Sequence, residues 1–529
     1  MLTPSNKLPV IKIGSRGSDL ALWQANFVKS ELEKLGERVE INIIKTQGDQ
    51  IQHLSFDKLE GKGFFTKEIE DALLKKEVDL AVHSHKDLPT TSPEGLTIAA
   101  VSEREDPSDL LLIHPSAFNP GNRFSLKENA TVGTSSARRK SQLLSFLPSV
   151  RIEDIRGNVP TRVQRLKEGK YDAILIAAAG IERLKLDLSG LHVTKLSPDE
   201  FIPAPAQGVL ALQVRETDTE LIQVLQKLNS TKVQREIAVE RKILNLFDGG
   251  CQLPLGAYCH TENNKLVIRA AKAKDWNTFP VRVFEVCDEN EAPESIAERM
   301  VAKISNLKPC SVFITRDLEE GDIFFRGLNE QGFKVNGSSL INTNLVRFSS
   351  IPATDWIFFS SRNSVKFFFE QHPEVAEKVK YAVIGKGTES VLRSYGKIPS
   401  FVGTQNNMTD IANSFSSQVS GVSILFPQAK ESLQSIQKQL SFSNKVFDLY
   451  VYHTQAKEDF NLQKADLLVF TSPSNVEAYH NKYKIEPSQK VISIGPSTGK
   501  ALQRLGTKEF TLPRTFDEIG LLEAVFTIA

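Results

Sequence analysis

The sequence predicts a multidomain α/β protein built on parallel sheets with helices on both faces. Three observations lead there. At 529 residues the chain is too long for one hydrophobic core. Strand-like apolar runs alternate with amphipathic helical patterns in the first third of the chain and again beyond residue 311. The C-terminal part also repeats itself: "DWIFFSSRNSVKFFFE" resembles "DLLVFTSPSNVEAYHN", and "YAVIGKGTESVLRSYG" resembles "ISIGPSTGKALQRLG".

Taken in order, "VIKIG" and "VEINIIKT" read as strands around an amphipathic helix, "DLALWQANFVKSELEKLG", which stops at Gly36. "VDLAVHS" (78–84) is a strand. "ATVGTSSARRKSQLLSFL" is a strand, a small-residue turn and a helix, and "YDAILIAAAG" (171–180) is a strand of the buried type. In such sheets reactive groups collect at the carboxyl ends of strands, and the chemical-looking residues here do follow strands. From about Asn229 to Asn306 the pattern changes to α+β. A long helix, "TKVQREIAVERKILNLF", precedes the loop "LFDGGCQLPLGAYCH", and strands such as "KLVIRAAKA" follow. "SNLKPCS" (305–311) reads as a linker. Beyond it, the repeat implies two similar α/β halves with a cleft between them, and the matching strand-to-Ser/Thr turns suggest paired ligand contacts.

Bulk properties exclude several classes. A net charge of +1 rules out a globally basic nucleic-acid binder, and 40% apolar with 24% charged residues is ordinary for a globular protein. The first residues lack the pattern of a signal peptide, and "AILIAAAGI" is far too short to span a bilayer. Four cysteines in a chain of this length are no disulfide framework, so a reducing cytoplasm is the expected setting. Cys251, Cys259 and His260 lack a second close ligand pair for zinc.

Between Gly133 and Lys170 stand nine Lys or Arg residues against three acids. Arg165, Lys167 and Lys170 suit a solvated helix face. Arg138, Arg139 and Arg156 fall in turns after strands, where arginine offers two-pronged recognition of carboxylate or phosphate. The helix starts after "GTSS" and "RGNVPT" add N–H donors. The ligand is therefore expected to be a polyanion, and the scarcity of interleaved aromatics argues against single-stranded nucleic acid. In "VHSHKDLP", His83 and His85 form an H-x-H pair with no third metal ligand in view. Lys86-Asp87 is either a surface ion pair or, at a strand end among cations, an acid/base group. "GKGFF" is a glycine turn carrying Lys62. "IGPSTGKA" imitates a P-loop but has the wrong spacing, and Ala501 stands where magnesium needs a hydroxyl. Cys251 follows two glycines in a loop. It is either an incidental thiol, a nucleophile with His260 as base, or a point of attachment.

Together, "SRGSDLALWQ", "GKGFFTKEIE", "AVHSHKDLP", "EREDPSD", "GTSSARRKSQL", "RGNVPTR", "YDAILIAAAGIERL", "PAPAQGVLALQVR" and "GGCQLPLGAY" resemble, in order and spacing over about residues 10–306, the porphobilinogen deaminase (hydroxymethylbilane synthase) family. The resemblance implies a transferase that joins four porphobilinogen units into hydroxymethylbilane with loss of ammonia. It implies a dipyrromethane cofactor bound by thioether to Cys251, and Asp87 as the catalytic carboxylate. Lys62, Lys86, Asp87, Thr134, Ser136, Arg138, Arg139, Arg162 and Arg183 would surround that cofactor, with Arg16, Ser18, Arg156 and Arg162 toward substrate. It also implies two periplasmic-binding-protein-like α/β lobes, 10–103 with 207–226 and 107–200, and a small α+β domain, 229–306, carrying the cysteine. The sequence departs from the family in His85, where methionine is common, in Gln47, where a basic residue is frequent, and in Pro160 inside the "RGNVxTR" turn.

Residues 309–529 resemble uroporphyrinogen-III synthase, through "VFITR", "FFSSRNSV", "VIGKGTESVLRSYG", "VYHT", "VFTSPSNV" and "SIGPSTGKALQRLG". This resemblance implies a lyase that closes hydroxymethylbilane to uroporphyrinogen III with inversion of the last ring. Ser361, Thr388, Ser472 and Thr498 would be turn contacts to substrate, and Tyr452 would assist the leaving hydroxyl. The lobes would be 309–343 with 455–529, and 347–450. The whole chain then reads as a bifunctional enzyme of porphyrin and heme biosynthesis. It would act as a monomer on small molecules, with no metal, nucleic acid or membrane. Two rivals stand beside it: a polyanion-binding protein without catalysis, and a deaminase with a degenerate C-terminal scaffold.

Overall fold

The computed structural model describes residues 9–46, 66–250, 252–404, 408–432 and 434–529. The expectations for Gln47, Lys62 and Cys251 lie outside the described residues. The chain divides into two compact units, the first ending at Leu307 and the second running from Lys308 to Ala529 and including Pro120–Arg123. Among the described residues it forms five sheets, and no helix is long and apolar enough to cross a membrane.

In the first unit, one sheet runs in the order Val39–Ile43, Ile11–Ser15, Leu80–Ser84, Leu210–Arg215, Leu96–Val101. The helix Asp19–Lys34 covers one face because Ala25, Val28 and Leu32 recur at helical spacing and bury against Ile11, Ile13, Leu80 and Leu212. A second sheet runs Arg151–Glu153, Thr131–Gly133, Ala173–Ala177, Asp109–Ile113, His192–Leu196. Each sheet departs from the all-parallel expectation in the same way. Leu210–Arg215 is antiparallel to both of its neighbours, and so is Asp109–Ile113. Parallel neighbours need a helical crossover within the layer. These two strands instead arrive from the other sheet, along the connections 102–108 and 197–209. Where those connections cross, Gly208 has φ +90° and a Cβ there would lie 2.3 Å from the carbonyl oxygen of Glu105, so only glycine fits.

The third body of this unit is an antiparallel meander, Leu255–Glu262, Lys265–Lys272, Val281–Asp288, covered by the helices Thr231–Leu246 and Pro293–Ser305. Its first hairpin closes on Asn263 and Asn264, both at positive φ (50° and 59°), the pair a two-residue I′ turn requires. The buried Arg104–Glu240 pair, at 2.7 Å, ties the connection 102–108 to the long helix. Glu240 also accepts the N–H groups of Ala206 and Cys259.

In the second unit, Lys334–Gly337, Ser311–Ile314, Leu467–Phe470 and Lys490–Ser493 form an all-parallel sheet. The other sheet runs Ile341–Leu345, Lys445–Ala456, Ser423–Ala429, Trp356–Phe359, Lys380–Ile384, Phe401–Gly403, and only its first strand is antiparallel to its neighbour. The sequence repeat is a structural one. Trp356–Phe359 leads to a helix capped by Ser361, and Leu467–Phe470 to a helix capped by Ser472.

Candidate active sites

The strand Leu80–Ser84 ends in a single 3₁₀ turn, His85–Asp87. Its histidines face inward. His83 Nε2 lies 3.0 Å from Gln213 Oε1, and Gln213 donates in turn to the buried Glu70 at 3.1 Å. Burial pushes His83 down to about 4. Burial, with Arg241 and His83 beside it, pushes His85 down to about 3, so both rings are neutral. With His85 turned into the core, Asp87 is left exposed and Lys86 half-buried.

From the second sheet, Thr131–Gly133 leads into the helix Ala137–Phe146. Ser136 caps that helix by accepting the Arg139 N–H at 3.5 Å, and the buried Thr134 hydroxyl accepts the Ser136 N–H at 3.4 Å. Arg138 and Arg139 are buried, and both converge on Asp109. Arg138 Nη1 reaches its Oδ2 at 2.8 Å, and Arg139 Nη2 its Oδ1 at 2.7 Å. Arg138 also donates to the Ile202 carbonyl, and Arg139 to that of Leu175. Burial alone would raise Asp109, but the two guanidiniums hold it well below the usual carboxylate range. Gln207, from the returning connection, donates to Asp109 Oδ1 at 3.1 Å and accepts from Lys86 Nζ at 3.5 Å.

The "RGNVPTR" segment places Asn158 as the cap of the helix Val159–Lys167, accepting the Thr161 N–H at 3.0 Å. Pro160 falls in the first turn, where no intrahelical bond needs its missing N–H. Arg162 donates to the Gly157 carbonyl at 2.8 Å, and Arg165 to that of Arg156 at 3.0 Å, which folds the turn back on itself.

Electrostatically, Lys86, Arg138, Arg139 and Arg162 form one group with Asp87 and Asp109. Burial lowers Lys86 against the pull of Asp87, with Arg139 and Arg138 pushing the same way as burial. Burial, then Arg139, lowers Arg162 to about 10, again against Asp87. Four cations crowded around two carboxylates favour any anion that joins them. A dipyrromethane with its acetate and propionate groups fits the charge of that set.

Arg16 is half-buried just beyond the strand Ile11–Ser15, and Ser18 caps the next helix through the Ala21 N–H at 3.4 Å. Arg183 is engaged elsewhere, donating to the Gly208 carbonyl at 2.6 Å with its guanidinium 5.7 Å from the Trp23 ring centre. It thereby ties the helix Ala178–Leu184 to the connection 197–209 and to the helix Asp19–Lys34. Sequence reasoning missed Asp109 and Gln207 as members of the site. The only available signal was their place in "EREDPSD" and "PAPAQG".

In the second unit, Ser361 closes a capping box with Ser364 and lies 3.2 Å, oxygen to oxygen, from the hydroxyl of Tyr452. Tyr452 is buried, stacked on Phe367 at 5.3 Å, and burial pushes its phenol above the usual range. Thr388 and Thr498 are not on turns. Each is buried in the first turn of a helix, Gly385–Ser394 and Pro496–Arg504. Ser472 caps its helix and accepts from Asn475 Nδ2 at 2.9 Å. Of these residues the structure joins Ser361 and Tyr452 directly. A cavity of about 410 Å³ between 375–381 and 396–400 contains none of them.

The family model described as "Porphobilinogen deaminase, dipyromethane cofactor binding domain" matches residues 11–223, and "Uroporphyrinogen-III synthase HemD" matches 327–523. A porphobilinogen deaminase from Nitratiruptor sp. is 43% identical over 49% of this chain and 82% of its own length. Another, from Oceanobacillus iheyensis, is 39% identical over 55% of this chain and 94% of its own. A solved uroporphyrinogen-III synthetase structure from Helicobacter pylori covers 41% of this chain and 99% of its own at 16% identity and a TM-score of 0.32, a likeness too weak to bear on the assignment. On the strength of the curated relatives and the two family models, the chain belongs to the porphobilinogen deaminase family and carries a uroporphyrinogen-III synthase domain fused on its C-terminal side.

Proposed function

We propose that the first unit builds hydroxymethylbilane on a dipyrromethane held by the Cys251 thiol, with Asp87 as the reacting carboxylate, and that the second unit closes the product with Tyr452 as its acid. Both enzyme activities follow from the family assignment. The residue roles are the proposal. The observation that carries it is an exposed carboxylate, Asp87, standing at a strand end inside a group of cations. The dipyrromethane supplies the pyrrole carbon at which chain growth starts. Lys86, Arg162 and Arg156 bind the acetate and propionate groups that each added pyrrole brings. Arg138 and Arg139 are both paired with Asp109, which holds the two guanidiniums side by side. When ammonia leaves porphobilinogen, positive charge spreads onto pyrrole nitrogen. Asp87 stabilises that charge and takes up and returns the proton.

Intact mass tests the attachment. The wild-type protein should exceed its sequence mass by two linked pyrrole units, and Cys251→Ala should not. A bare wild-type mass that porphobilinogen fails to raise would remove Cys251 from the site and bring the binding-protein reading forward.

In the second unit, the Tyr452 phenol donates its proton to the departing hydroxyl, and Ser361, 3.2 Å away oxygen to oxygen, holds the phenol in place. Tyr452→Phe should slow inverted ring closure by roughly a hundredfold, read as a rise of the non-inverted isomer that forms without catalysis. An unchanged isomer ratio would rule Tyr452 out.

A further inference from the structure

We propose that Arg241 is a positioning residue for Asp87, through which the helix leading to the Cys251 loop holds the Asp87 turn in its working geometry. The proposal rests on the reading of Asp87 as the reacting carboxylate. Arg241 lies in the helix Thr231–Leu246 and reaches across to the other side of the site. Its Nη1 donates to the carbonyl oxygens of His85 and Leu88, each at 3.0 Å, and its Nη2 donates to that of Pro89. One turn further along, Asn245 Nδ2 donates to Thr90 Oγ1 at 3.3 Å. Residues four apart share a helix face, so one face of this helix grips the segment 85–90 on either side of Asp87.

The turn needs that grip. A single 3₁₀ turn has poor internal hydrogen bonding, and its closing bond, Leu88 N–H to the His85 carbonyl, is 3.2 Å long. Asp87 itself is exposed, so packing does little to fix it. A guanidinium presents five N–H donors in a rigid fork and can hold several carbonyls at once, which a lysine ammonium on a flexible stem cannot do in one fixed geometry. The same helix runs on toward Gly249 and Gly250, so a single rigid element leads to the attachment loop and clamps the turn that carries the acid. A mispositioning of about 1 Å costs on the order of a hundredfold in rate.

The experiment uses the full-length protein with its primer present, verified by intact mass, and compares Arg241→Ala, Arg241→Lys and Asp87→Asn. In Arg241→Ala, kcat for porphobilinogen consumption should fall roughly a hundredfold while KM changes by less than about tenfold, because Asp87 and Lys86 move with the turn while Arg156 and Arg162 stand on another element and stay in place. Ethylguanidinium should restore part of kcat, since a cavity of about 110 Å³ lined by His85, Leu88, Pro89 and Arg241 already adjoins the missing side chain. Arg241→Lys covers the case in which the alanine variant does not fold. It should stay folded and lose about tenfold in kcat at unchanged KM, as charge without the fork predicts. Wild-type kcat in either folded variant, or a loss expressed in KM alone, would overturn the proposal. If Asp87→Asn is inactive while Arg241→Lys is fully active, the clamp falls and the role of Asp87 stands. If Asp87→Asn keeps the wild-type rate, both fall.

Discussion

Asp87→Asn should lose porphobilinogen polymerisation by roughly a hundred- to ten-thousandfold, the range over which a positioned acid/base group acts. The substitution keeps the size and polarity of the side chain and removes its charge and basicity. Asp87 is exposed, so folding should change by no more than about 0.5 kcal/mol. Without the carboxylate, the local field of Lys86 and Arg162 is left uncompensated at the point where positive charge develops. Substrate binding, which depends on those cations, should hold or tighten, so the loss belongs in kcat. The fusion supplies its own control: supplied hydroxymethylbilane should still be closed at the wild-type rate by the second unit of the same molecule. A polymerisation rate within about threefold of wild type would leave the carboxylate no chemical role.

The second large effect concerns stability. Asp109 is fully buried and answers two guanidiniums, whose side chains are 5% and 9% exposed. Asp109→Asn should destabilise the first unit by about 3–5 kcal/mol, because two buried positive charges lose their counter-charge. The melting temperature of that unit should drop, and adding Arg139→Gln should recover part of the loss, since neighbours in one network are not additive. The pH dependence has a definite sign. A carboxylate held below its unfolded value of about 3.9 contributes fully above that pH and loses its contribution as pH falls further. The stability gap between wild type and Asp109→Asn should therefore be constant at neutral and mildly acidic pH and close only below about pH 4. A gap of the same size at the lowest accessible pH, or no gap at neutrality, would mean the pair does not work as described.

Much of this was legible in the sequence. Local signals carried the β/α alternation, the repeat, and the turns bearing Lys86-Asp87, Ser361 and Ser472, because period, caps and small-residue turns act over a few residues. Long-range pairings were not legible. Asp109 meets Arg138 and Arg139 from 29 and 30 positions away, and Ser361 meets Tyr452 from 91. No periodicity encodes such contacts. Arg138 and Arg139 therefore read as ligand contacts, while the structure shows them engaged with Asp109. The antiparallel strands were missed for a related reason. A strand's residues show that it is buried, as in Asp109–Ile113, but its direction depends on where the chain arrives from. Pro160 departs from the family's turn, and its place in the first turn of a helix, which makes that departure harmless to the backbone, was not legible either.

The strand Leu210–Arg215 sits between Leu80–Ser84 and Leu96–Val101, in the interior of the first sheet. During synthesis, everything else that sheet contains has left the ribosome soon after Val101, yet the place between its third and last strands stays empty for roughly another hundred residues. The second sheet, whose strands all fall between Asp109 and Leu196, suffers no such delay and can close at once. Of these two sheets, the one whose strands begin first is thus the last to finish. Until residue 215 appears, two unpaired inner edges wait side by side, each a template for the wrong partner. The order of folding runs against the order of translation, and the late strand is the one that ends the exposure.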